Sequence, residues 1–246
     1  MLPLPHIAFG LVVVSLAGLT MGLTGFGFAL MATPLLLLVL PPTVVVPLLT
    51  LQSTLNNVVI LWESRRWVDL RRIWPLMLAG IVGVPFGAYL LVAWDVNTLK
   101  AFIGAAAALS ALALLFGFKR HIVRERLAAL PVGLASGLLN GSTGMAGAPV
   151  ILFFTNQGIE KRAFRANLTA YFGLLNVVTL TTYAANGLIT RPVAACAGLL
   201  LPGLVVGLVV GTRLVPRVNE QRFRQITLAV VGASGLLGVA TGLRLF

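Results

Sequence analysis

Two stretches of the chain carry the same residue types at the same spacing, Thr24-Gly25-Phe26-Gly27 and Thr143-Gly144-Met145-Ala146. Glycine lets an apolar helix break. The half-helix that restarts after the break presents unpaired N–H groups and roughly half a positive charge. Two such ends directed at one place make an anion site with no buried Lys or Arg. The side chains available beside them are neutral donors. Asn57 and Asn176 stand at equivalent distances beyond the two motifs, Gln52 and Tyr171 form another equivalent pair, and Asn140 precedes the second glycine. The candidate substrate-binding residues are therefore Thr24, Gly25, Phe26, Gly27, Gln52, Asn57, Asn140, Thr143, Gly144, Met145, Tyr171 and Asn176. Each has a bland alternative: glycine as a packing residue, asparagine as a hydrogen bond between helices.

Other chemistries find no residues. All six acids (Glu63, Asp69, Asp95, Glu125, Glu160, Glu220) and both histidines (His6, His121) fall outside the apolar runs. No nucleophile has a base near it in sequence, and no metal-ligand spacing occurs. We expect no enzyme, no cofactor and no metal. Cys196 lies in an apolar run and reads as a small hydrophobe. The net charge of +12 would suggest nucleic acid in a soluble protein. Here 15 of the 18 basic residues collect in four short stretches, residues 65–72, 119–126, 161–165 and 213–224. That is the bias of cytoplasmic loops, so we expect lipid around the chain and no nucleic-acid partner.

These residues must be positioned by membrane helices. The chain is 59% hydrophobic and 10% charged, with mean hydropathy +1.00. Apolar runs near the ~20 residues needed to cross a bilayer cover residues 43–62, 73–93, 98–118, 163–185, 193–212 and 226–243. Residues 18–62 laid on 137–181 without a gap give 13 identities in 45 positions, including Thr24/Thr143, Thr50/Thr169 and Asn57/Asn176. After a five-residue shift, Ala79, Gly83 and Gly87 recur as Gly203, Gly207 and Gly211. Shared greasiness does not produce matched Thr and Asn. The chain is a duplication.

If all four basic stretches share one side, residues 127–157 enter the membrane and return, forming a hairpin of two short helices broken at 140–144. By the repeat, residues 7–40 do the same from the other side. We expect an all-α polytopic membrane protein of two inverted repeats, each a broken-helix hairpin plus three transmembrane helices. Residues 1–118 form the first and 119–246 the second. Both termini come out external in a plasma (bacterial inner) membrane. Parity is the same whether the hairpins are re-entrant or cross fully. The stretch 63–72, alternating charged and apolar residues, is expected to lie along the membrane surface.

At these residues the sequence resembles the sulfite exporter TauE/SafE family of membrane permeases. The resemblance rests on the run from Gly18 through Gly22 to Thr24-Gly25-Phe26-Gly27 with Pro34 following. Its second copy runs from Gly137 through Gly141 to Thr143-Gly144-Met145-Ala146-Gly147-Ala148-Pro149, and the length and the basic stretch between the halves agree. The glycine run is thinner here than the family's usual three consecutive glycines. The resemblance implies a transporter of a sulfur oxyanion or organosulfonate, such as sulfite or sulfoacetate. The residues alone reach a small-anion transporter working by alternating access. An anion channel on the same repeat and a membrane-embedded enzyme are the competing readings. Oligomeric state is not legible.

Overall fold

The computed structural model describes residues 4–117, 125–214 and 220–243. Among these the regular structure is helical, with no strand. The half expected as the first repeat comprises α1 (Leu4–Thr24), α2 (Phe28–Leu36), α3 (Pro42–Ser64), α4 (Leu70–Ala93) and α5 (Val96–Phe116). The half expected as the second comprises α6 (Glu125–Thr143), α7 (Gly147–Thr155), α8 (Lys161–Ala185), α9 (Arg191–Leu214) and α10 (Glu220–Gly242). Six helices (α1, α3, α4, α5, α8 and α9) are long and apolar enough to cross a membrane. Their outward faces suit lipid: Leu78, Val82, Phe86 and Tyr89, at helical spacing along α4, are all more than half exposed. The protein is an integral multi-pass membrane protein. Of the expected basic stretches, residues 118–124 and 215–219 lie outside the described residues.

The two hairpins differ from expectation in the balance of their arms. The first arms are not short: α1 has 21 residues and α6 has 19, about 31 and 28 Å at 1.5 Å per residue. The second arms, α2 and α7, have 9 residues each, about 13 Å, so each break comes late in the crossing. Glycine ends both long arms. Gly25 (φ 80°) and Gly144 (φ 72°) adopt the left-handed conformation, and their N–H groups close back on the carbonyls of Met21 and Asn140. The stretch 63–72 joins α3 to α4. It is a tight corner in which α3 runs to Ser64, a single 3-10 turn covers Arg65–Trp67, and Asp69 caps α4 by accepting the Arg71 N–H at 3.1 Å. The Asp69 N–H donates to Asn167 Oδ1 at 2.8 Å, tying this corner to the second repeat.

Packing follows the duplication. α6 lies along α4, and α1 along α9. A Cβ placed on Gly18 would stand 2.8 Å from the Leu204 carbonyl oxygen, and one on Gly22 2.7 Å from that of Leu208. The equivalent glycines, Gly137 and Gly141, press still closer on the carbonyls of Gly80 and Val84. Both partners advance together by four residues in each case, so α1/α9 and α4/α6 are parallel pairs. The helices that pair with their own repeat counterparts run oppositely. Ser53 meets Asn176 and Asn57 meets Gly173 across α3/α8, while Gly104 meets Gly235 and Ala101 meets Gly242 across α5/α10. Backbone approach this close tolerates no side chain. Gly137→Ala is expected to destabilise the protein by about 1–3 kcal/mol through overpacking, outweighing the ~1 kcal/mol helix-propensity gain. Gly198→Ala, where no atom lies within 4 Å, should be neutral or stabilising. Thermal unfolding in detergent compares the two.

Candidate functional site

The late breaks bring the starts of α2 and α7 to one cavity. Its wall includes Phe26 to Leu30 from the first break and Gly144 to Gly147 from the second. Neither restarting helix carries a side-chain cap: Gly27 (φ 92°) precedes α2 and Ala146 precedes α7, and neither makes a capping bond. In α2 the first N–H to reach an i−4 carbonyl is that of Met31, which donates to Gly27 O at 3.0 Å. The N–H groups ahead of it have no intrahelical partner, as at any helix start. Two first turns with their partial positive charge thus border one space.

Polar side chains reach this space from the α3/α8 crossing. Asn140 Nδ2 donates to Thr179 Oγ1 (2.8 Å) and to Asn176 Oδ1 (3.2 Å), and Asn176 Nδ2 donates to Ser53 Oγ (3.1 Å). Asn57 differs. It lines the cavity at 1% exposure, and neither its Nδ2 nor its Oδ1 bonds to another protein group. Leaving a buried polar atom unpaired costs about 1–3 kcal/mol, so both atoms of Asn57 are open to a ligand or water. Among the described residues none lining the cavity is charged; Met21, Phe28, Ile151 and Phe172 supply the apolar wall. The cavity offers about 50 Å³ to the centre of a water-sized sphere. One water needs roughly 10–15 Å³ on that measure, so the space suits a few waters or one compact oxyanion.

Of the twelve residues expected at the site, seven line the cavity: Phe26, Gly27, Asn57, Asn140, Gly144, Met145 and Asn176. The other five stand outside it. Thr24 and Thr143 do not offer hydroxyl protons to a ligand. The Thr24 hydroxyl turns to the carbonyls of Thr20 (2.9 Å) and Phe26 (2.8 Å), and that of Thr143 to Leu139 O (2.6 Å). Each also accepts an N–H from the break, Phe26 N at 3.4 Å and Met145 N at 3.1 Å. The threonines shape the breaks. Gly25 turns towards Arg165 rather than the cavity. Gln52 donates to Ala197 O in α9 at 3.0 Å, and Tyr171 is buried beside Gly80. Sequence reasoning missed Ser53, Phe172 and Met21. Ser53 and Phe172 lie one helical turn before Asn57 and Asn176, on the same faces, whereas Gln52 and Tyr171 are five residues away and face elsewhere. Met21 is the repeat counterpart of Asn140.

The ends of the long arms are secured differently in the two repeats. The last carbonyls of α6 accept hydroxyls, Gly141 O from Tyr183 at 2.7 Å and Thr143 O from Thr33 at 3.4 Å. Ser136 pins the second break by donating to Ala146 O at 2.8 Å.

The family model described as "Sulfite exporter TauE/SafE" matches residues 10–238, which include both breaks and every polar residue of the cavity. The chain belongs to the TauE/SafE sulfite exporter family. This TauE/SafE chain is 28% identical over 108 residues to a protein of Cupriavidus necator strain H16 described as "Probable sulfite/organosulfonate exporter TauE". That match covers 43% of the chain and 42% of the relative, well under half the relative's length. No solved structure matches the chain.

Proposed function

We propose that the protein carries a small sulfur oxyanion, sulfite or a compact organosulfonate, out of the cell. The anion is bound between the starts of α2 and α7. The observation that carries this reading is Asn57, a buried carboxamide without a protein partner in a cavity bordered by two uncapped helix starts. Backbone N–H groups and carboxamide NH₂ groups donate to oxyanions without adding net charge. A neutral cage releases its anion more readily than a cationic one, which suits a carrier. Membership of the TauE/SafE family supports the choice of anion.

Movement is by alternating access between two inverted repeats, with both termini external. The antiparallel α3/α8 and α5/α10 pairs support the inversion. A two-fold axis along the helices would make such self-pairs parallel, and only an axis across them makes them antiparallel. The clustering of basic residues supports the orientation. Reporters fused after residues 118 and 246 should give opposite signals. Equal signals would remove the inversion.

A binding screen of the purified protein against sulfite, sulfate, thiosulfate, taurine and sulfoacetate tests the substrate class. Saturable binding of at least one sulfur anion, lost in Asn57→Asp, is the expected result. Binding of none, or binding indifferent to Asn57, would place the function elsewhere.

A further inference from the structure

The two breaks are alike in backbone and unlike in charge. Against Gly25 lies Arg165, from the second turn of α8. A Cβ on Gly25 would stand 3.4 Å from its Cγ, 3.5 Å from its Cδ and 3.6 Å from its Nε. The position equivalent to Arg165 in the first repeat is Val46, and it occupies the equivalent place: a Cβ on Gly144 would stand 3.7 Å from Val46 Cγ1. Half-buried Arg165 makes no ion pair among the described residues, and its Nε is buried without a hydrogen-bond partner. Neighbouring Arg162 instead stacks on Trp67, 5.4 Å from the ring centre. A structural role for Arg165 would be to offset the negative carbonyl end of α1. The equivalent end of α6 manages with neutral hydroxyls from Tyr183 and Thr33, so a full charge is more than the fold requires there.

We infer that Arg165 is a specificity-determining residue that makes the two sides of the site unequal in charge, holding a cation one residue from the cavity wall at one break and, among the described residues, not at the other. It draws the anion in from the face that carries Arg162, while Val46 puts no charge on the other side. This rests on the anion-carrier reading above. A unit charge roughly 12 Å away, at an effective dielectric of about 20, shifts anion affinity by about tenfold. In a carrier at zero voltage both directions share one Vmax/KM. The inequality therefore takes the form of a lower KM with a proportionately lower Vmax from the Arg165 face.

The test is sulfite flux in proteoliposomes of single orientation, with substrate added from either face and the voltage clamped to zero. The parent should show a KM about tenfold lower from the Arg165 face. Arg165→Gln should bring the two KM values within about twofold, Arg165→Lys should keep most of the difference, and the exchange Arg165→Val with Val46→Arg should reverse it. Purified variants are first matched to the parent for monodispersity and thermal unfolding. Should the exchange variant fail to fold, the Gln and Lys variants decide the matter. An unchanged KM ratio in Arg165→Gln, with flux still abolished by Asn57→Asp, overturns the inference and leaves the carrier reading intact. Absence of saturable sulfite flux in the parent overturns both.

Discussion

Asn57→Leu is expected to remove anion binding while leaving the melting temperature of the ligand-free protein unchanged or raised. Most substitutions of a buried polar residue destabilise because they orphan a partner. Asn57 has no protein partner to orphan, since both its polar side-chain atoms are buried and unpaired. An apolar replacement of similar volume therefore deletes a desolvation cost. Binding moves the other way, because a donor to a charged ligand is lost, a change of about 1.5–3 kcal/mol or roughly 10- to 150-fold in Kd. Asn57→Asp is worse than Leu. It adds an anion beside an anion in a cavity whose described lining residues carry no counter-charge, and binding should fall beyond about 100-fold. Asn176→Ala should lower stability as well as affinity, because it removes the donor to Ser53 and one of the two acceptors of Asn140. Calorimetric titration with sulfite alongside thermal unfolding checks all three variants. Asn57→Asp binding like the parent would make Asn57 a packing residue.

Gly144→Val and Gly25→Val are both expected to abolish transport, for partly different reasons. Both positions have φ near +75°, where a non-glycine residue costs about 1–2 kcal/mol and a β-branched one more. Gly144 borders the cavity, so its replacement also crowds the anion, although the nearest atoms to a new Cβ are an ordinary 3.7–3.8 Å away. Gly25 does not border it. There the strain and a displaced Arg165 stem act on the helix start beyond. Gly144→Ala should retain more activity than Gly144→Val, and equal loss in the two would assign the whole effect to backbone strain. Flux of folded, reconstituted variants gives the answer.

The features legible in the sequence were those written twice. Matched Thr, Asn and Gly located both breaks, and runs of apolar residues located the long helices. The unequal arms of the hairpins were not legible, because residues on both sides of each break are apolar throughout and hydropathy does not say where a helix resumes. Thr24 and Thr143 stand outside the cavity wall for a related reason. A threonine in the last turn of a helix bonds back to the i−4 carbonyl, and repetition preserves that habit as faithfully as it preserves a binding role. Gln52 and Tyr171 were drawn in by polarity and equivalence. Helical periodicity already favoured Ser53 and Phe172, since four residues return to the same face and five do not. The difference between Arg165 and Val46 is visible in the alignment of the repeats, but its meaning requires the contact with Gly25.

The most direct measurement is sulfite efflux from proteoliposomes with equal pH on both sides and an imposed potential. Among the described residues no acid lines the cavity to take up a driving proton or cation. An inside-negative potential of about 100 mV expels a monovalent anion with about 2.3 kcal/mol. The expected result is efflux that saturates with internal sulfite, accelerates with inside-negative potential, speeds up further with external cold sulfite, and needs no pH gradient. Flux that rises linearly without saturation would indicate a channel, and flux that appears only with a pH gradient, or not at all, would contradict a voltage-driven sulfite carrier.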